Sequence, residues 1–143
     1  WKSSLDMVKD SPIIGSGIGT FQINYPKYQG RFLSQPEFAG YNETTLFAHN
    51  EYLELTAETG VIGLAVFLWL VVLFFQSGIR ELRTQIVNKQ YILGLLSGLT
   101  AILIYGLFSY PLHMTITTLL FWTYLGILSS PWLSPVKEEA HDD

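Results

Sequence analysis

The sequence predicts an all-α membrane protein: an extracytoplasmic loop with short helices, followed by about three transmembrane helices. Three observations carry this expectation. Only 14% of the 143 residues are charged, where about a quarter is usual for a soluble domain. The apolar residues are gathered into runs: Val61 to Gly78 holds no charge, and Gln90 to Val136 contains no Lys, Arg, Asp or Glu. The first sixty residues are ordinary mixed, polar sequence.

Taken in order, WKSSLDMVKD places Trp1, Leu5 and Val8 at helical spacing, with the charges elsewhere. This predicts a short amphipathic helix lying on a membrane surface. Ser11-Pro12 ends it. Gly15, Gly17 and Gly19 follow in PIIGSGIGTF. They read either as a tight turn near the membrane or as a backbone cradle for a phosphate, although the Lys-Ser/Thr of a P-loop is missing. Pro26, Gly30, Pro36 and Gly40 among aromatic residues predict irregular loop over residues 22–45. Residues 1–60 therefore form the extracytoplasmic part. Residues 61–130 hold the spans, at about 61–79, 91–109 and 112–128. Pro111 separates the second span from the third, and Pro131 and Pro135 stop the third. Residues 131–143 form an acidic tail ending VKEEAHDD. The chain opens with neither an initiator Met nor a signal sequence. It reads as the C-terminal part of a longer membrane protein whose earlier spans precede it.

The net charge of −4 excludes a general nucleic-acid role. The lack of cysteine excludes a disulfide framework, a thiol nucleophile and a zinc-thiolate site. Arg80, Arg83 and Lys89, with Glu81, form a short polar turn between the first two spans. Basic residues in short loops mark the cytoplasmic side. Residues 1–60 then face outward, and the acidic tail returns to the cytoplasm.

The segment at the entry to the first span, LFAHNEYLELTAETG, holds most of the residues able to do chemistry. As a regular helix over 49–60, His49, Leu53, Thr56 and Gly60 share one side, while Glu51, Glu54 and Glu58 fall on roughly the opposite one. A metal held jointly by His49 and the glutamates fails on that geometry. If Asn50 caps the helix, His49 lies just before it and turns freely, and Glu51 in the first turn suits the helix dipole. From the residues alone His49 has two readings: an acid/base or acceptor-positioning group at the outer surface, or an interfacial histidine that hydrogen-bonds the loop. The glutamate stripe reads as a solvated or interfacial face rather than a site, or as a face from which one of the three pairs with an arginine. Arg31 and Lys27 flank Tyr28, and a cation there would hold a phosphate or simply solubilise the loop. Asn42-Glu43-Thr44 matches a glycosylation sequon. His113, near the outer end of the third span, is a further ionisable candidate.

Two stretches, DSPIIGSGIGTFQINYPKY and AHNEYLELTAETGVIGLAVFLWL, resemble the C-terminal region of the O-antigen ligase and O-antigen polymerase family. The His-Asn-x-Tyr-Leu and Glu-x-Gly-x-x-Gly elements carry the likeness, with SYPLH in looser agreement. The resemblance implies a multi-span bacterial inner-membrane glycosyltransferase whose active site lies in the large periplasmic loop. It implies transfer of a glycan from undecaprenyl diphosphate, with no metal or other cofactor, to a lipid, glycan or protein acceptor. His49 is the catalytic candidate, since it matches the family's histidine. The family binds the diphosphate through arginines, and Arg31 is the one arginine of this loop. Lys27, Asn50 and Tyr52 join Arg31 as candidate substrate-binding residues.

Two other classes remain. A transporter or channel needs polar groups at mid-span, and these spans offer little beyond Ser97, Thr100 and Ser109. A non-catalytic anchor module needs no His49 at all.

Overall fold

A computed structural model describes residues 1–38, 45–84 and 89–129. The sequon at 42–44, residues 85–88 of the connection between the first two predicted spans, and the acidic tail lie outside the described residues. Among the described residues the only regular secondary structure is helical: α1 (Lys2–Asp10), α2 (Phe21–Leu33), α3 (Glu51–Thr84), α4 (Lys89–Tyr105) and α5 (Thr115–Leu128). Single 3-10 turns occupy Pro36–Phe38 and Pro111–His113.

Two apolar cores divide the chain. Met7 of α1, Phe21 and Tyr25 of α2, and Ala48 and Ala57 bury together around the start of α3. Ile92, Leu96 and Leu99 of α4 meet Phe121, Leu125 and Leu128 of α5, with Phe67, Val71 and Phe74 of α3 packed against them. Small residues permit close approach. Gly78 of α3 faces the Leu96 and Leu128 side chains, and Gly98 of α4 lies against the Tyr124 ring.

The sequence expectation for α1 holds in position and differs in orientation. Ser3, Ser4 and Met7 turn inward, while Trp1 and Leu5 stay exposed. Trp1, Leu5 and Val8 instead line an open apolar groove of about 430 Å³ with Tyr52, Leu53 and Thr56. The expectation of irregular loop over 22–45 is overturned for residues 22–33, which form α2. Pro26 sits inside that helix and lacks the amide that would bond back one turn. Burial of Phe21 and Tyr25, whose rings stack 4.9 Å apart, offsets that loss.

α3 is not one continuous helix. Gly60 has φ 68 and ψ −172, so the helix breaks there. A break strands carbonyls before it and amides after it. The glycine loop supplies both sets of partners. The amides of Ser16 and Gly17 donate to the carbonyls of Ala57 and Glu58, at 2.9 and 2.8 Å. The amides of Val61 and Ile62 donate to the carbonyls of Pro12 and Ile13, at 2.9 and 3.4 Å. The loop is therefore the tight turn of the two sequence readings, and its Ser16 and Gly17 amides are already engaged.

Beyond Gly60, α3 is apolar and outwardly bare, with Val61, Ile62, Val66, Trp69 and Val72 exposed. Among the described residues α3 is the helix long and apolar enough to cross a membrane. At 1.5 Å per residue its second part spans about 36 Å against a hydrocarbon core of about 30 Å. It stays helical through Arg80, Glu81 and Arg83, where the sequence suggested a turn. α4 and α5 are shorter apolar helices. α4 stops at Tyr105, four residues before the predicted end, where the chain turns at Gly106.

An added Cβ at Gly60 would run into the Ile13 carbonyl, and one at Gly15 into the Glu58 backbone. Both glycines also have positive φ. Gly60→Ala and Gly15→Ala should each cost at least ~1–3 kcal/mol. Gly30→Ala, in open space on α2, should be neutral or stabilising by up to ~1 kcal/mol. Thermal unfolding of the detergent-solubilised chain measures the contrast.

Candidate functional site

α3 begins where the sequence placed its cap. Asn50 Oδ1 accepts from the Leu53 amide at 2.9 Å, so Glu51 opens the helix and His49 precedes it. The start of α3 meets the end of α4. The Glu51 amide donates to the Gly106 carbonyl (2.8 Å), Asn50 Nδ2 to the Leu107 carbonyl (3.1 Å) and the Tyr52 hydroxyl to the Leu103 carbonyl (2.7 Å). Donors at a helix N-terminus thus satisfy carbonyls orphaned at a helix C-terminus. Asn50 and Tyr52, candidate substrate-binding residues, are both committed to this junction.

Glu51, Glu54 and Glu58 do not form a solvated face. All three are buried, Glu54 to 1% exposure. A buried carboxylate needs hydrogen-bond donors, and each finds one on a different segment. Glu51 Oε2 accepts from the Leu112 amide at 3.0 Å, Glu54 Oε2 from the Ala48 amide at 2.9 Å and Glu58 Oε1 from the Phe21 amide at 2.9 Å. Their helical spacing was visible in the sequence; their partners, up to sixty-one residues away, were not.

His113, in the 3-10 turn ahead of α5 and so outside the apolar helix expected to span from 112, completes the cluster. Its Nδ1 lies 3.1 Å from Glu51 Oε1 and its Nε2 lies 3.5 Å from Glu54 Oε1. A neutral imidazole has one donor nitrogen and one acceptor, so two carboxylates around one ring favour the imidazolium. The hydrogen bond to Glu51 accordingly raises the His113 pKa above the usual histidine value, against the opposing effect of burial. Glu54 lies before the Gly60 break, outside the apolar run, and burial raises its carboxyl above the usual range.

His49 stands apart from this buried cluster. It is exposed and its backbone has φ 50, the one non-glycine positive φ among the described residues. Such a conformation costs energy and persists where its surroundings fix it. The flanks do so here: Glu54 holds the Ala48 amide on one side, and Asn50 is tied to α3 and Leu107 on the other. The imidazole lies edge-on to the Tyr110 ring, with centroids 5.1 Å apart, and Phe47 stacks on Tyr110 at 4.3 Å. His49 opens into a cleft of about 650 Å³ lined also by Trp1, Tyr25, Thr45, Phe47 and Tyr110.

Arg31 is not brought to that cleft. It lines a second one of about 210 Å³ with Lys2, Asp6, Lys9 and Asp10, and its guanidinium lies over the Tyr28 ring. Lys27 also approaches Tyr28, 5.9 Å from the ring centre. The Tyr28 hydroxyl donates to Asp10 at 2.7 Å, and that hydrogen bond raises the phenol above its usual value. Sequence reasoning missed Tyr110 as a wall of the His49 cleft. The SYPLH stretch was the available signal, a proline-broken aromatic–histidine run between apolar helices.

The fold and site define an all-helical protein whose polar, cleft-bearing half is joined at a glycine break to a long apolar helix. Residues 1–68 match the family model described as O-antigen ligase, the family that the motifs of this segment resemble. The match spans His49, Asn50 and the Gly60 break, and points to an O-antigen-ligase-like role in surface polysaccharide synthesis. No curated protein and no solved structure matches the chain.

Because the raised His113 value lies above that of an unfolded histidine, its stabilisation is complete below the ordinary histidine value. It is lost as pH rises through the folded value. The melting temperature in detergent should fall across that interval, and His113→Leu should flatten the dependence.

Proposed function

We propose that this chain supplies the acceptor-activating part of a bacterial inner-membrane glycosyltransferase, with residues 1–60 on the periplasmic face. The donor is a glycan on undecaprenyl diphosphate, and the acceptor is a hydroxyl of a lipid, glycan or protein. The observation that carries the reading is His49: exposed in a cleft, held in a left-handed backbone conformation by its neighbours, and eleven residues before the Gly60 break that opens the apolar part of α3. A polyprenyl donor keeps its tail in the bilayer and its phosphates at the surface. A group acting on it belongs at that boundary, on a rigid support.

In this reading the His49 imidazole accepts the proton of the attacking hydroxyl as that oxygen bonds to the anomeric carbon, and the lipid diphosphate departs with the electrons of the broken bond. Tyr110 and Phe47 fix the ring and shape the cleft. Charge on the leaving diphosphate calls for a cation. Arg31, the one arginine of residues 1–60, is our candidate for this role from its own separate cleft, with Lys27 near the same Tyr28 ring. The bare apolar surface of α3 is then covered by lipid or by further helices of the same membrane enzyme.

Positioned proton transfer is worth about 10²–10⁴ in rate. His49→Ala in the full-length protein should lower glycan transfer by that order while membrane level stays normal. Glycan product resolved on gels, from cells lacking the native enzyme, is the measurement, and undiminished product sinks the catalytic role. Arg31→Ala should raise KM for the donor more than it lowers kcat. Arg31→Lys should recover only part, since lysine lacks the two-pronged guanidinium. Wild-type kinetics in both variants would remove Arg31 from the site.

A further inference from the structure

We infer that His113 is a positioning residue for His49, acting through Glu54 and the Ala48 amide to hold the strained His49 backbone in its working conformation. This rests on His49 being the catalytic residue.

The chain of contacts is continuous. The His113 imidazole bridges Glu51 and Glu54, at 3.1 and 3.5 Å. The far oxygen of Glu54 accepts from the Ala48 amide at 2.9 Å, and Ala48 is bonded covalently to His49. The far oxygen of Glu51 accepts from the Leu112 amide, which ties the same bridge to the loop bearing Tyr110. The His113 ring also packs on Phe47, with centroids 5.5 Å apart, and Phe47 stacks on Tyr110. Both flanks of the His49 ring, its backbone and its Tyr110 wall, therefore trace back to one imidazole.

Charge decides whether the bridge closes. The acidic groups acting on His113 are Glu51, Glu54 and Glu58, all on α3, and Tyr110 stands nearest in its own loop. Protonated, the ring donates to both carboxylates. Once deprotonated it can donate to only one of them, and the Glu51 and Glu54 carboxyls are left facing each other in a buried site. Glu54 then has reason to protonate or turn, and Ala48 loses a fixed acceptor. His49 has no need of this coupling to fold as a loop residue; it needs it to keep a φ of 50.

The test uses the full-length enzyme in membranes and compares His49→Ala, His113→Leu, His113→Arg and Glu54→Gln, reading kcat, KM and the pH profile. His113→Leu should lower kcat by ~10–100-fold, the scale of a small misplacement of a reacting group, with KM little changed. His113→Arg keeps a permanent cation with several donors between the carboxylates. It should recover most of the rate and lose the alkaline fall in activity that the wild type shows as His113 deprotonates. Glu54→Gln keeps an oxygen for the Ala48 amide and removes one carboxylate from the ring, so its alkaline limb should move to lower pH. It carries the test if His113→Leu does not accumulate. Wild-type kcat in His113→Leu, or an unmoved alkaline limb in His113→Arg or Glu54→Gln, overturns the inference while an inactive His49→Ala leaves the site reading intact. A fully active His49→Ala overturns both.

Discussion

A helix that breaks in its interior must find partners for the carbonyls before the break and the amides after it, and α3 meets that demand at Gly60 with a single loop. Residues 12–17 give two carbonyls and two amides to the four exposed groups. The loop reaches so close that Gly15 and Gly60 leave no room for a side chain. The break lets the first part of α3 serve a polar junction while the second part is apolar on nearly all sides. Without it the same rotation would carry through, and a face with three buried glutamates would continue into a surface with no charge.

The polar half of α3 organises its surroundings through those glutamates. Each carboxylate accepts an amide from a separate stretch of chain: the start of α2, the residue before His49 and the turn between α4 and α5. Buried carboxylates are costly unless satisfied, so this arrangement is an all-or-none constraint on where the three stretches lie. His113 shares two of the carboxylates and supplies the positive charge that burial would otherwise deny them. The end of α4 completes the junction by presenting carbonyls to Glu51, Asn50 and Tyr52.

The fold and the proposed site thus draw on the same residues. Asn50 is at once the helix cap and the clamp that follows His49. Glu54 is at once a buried acceptor for a loop amide and the clamp that precedes it. The left-handed conformation of His49 is held from both sides, which keeps a flexible side chain at a defined place in an open cleft.

The sequence by itself determined the helical class, the apolar run after residue 60, the capping role of Asn50 and the family likeness of the segment around His49. These are local: they depend on period, on cap chemistry and on charge-free length. It misjudged α2, because Pro26 and Gly30 signal loop locally while Phe21 and Tyr25 gain their burial only against α1 and α3. It read the glutamates as a solvated face, because spacing shows which side chains lie together and not what covers them. Only the tertiary structure decided that Glu51, Glu54 and His113 form one cluster, that Tyr110 walls the His49 cleft, and that Arg31 lies in another. The first two placements rest on hydrogen bonds between residues some sixty positions apart, and no local pattern in the chain encodes which distant amide or carbonyl will complete a buried polar group.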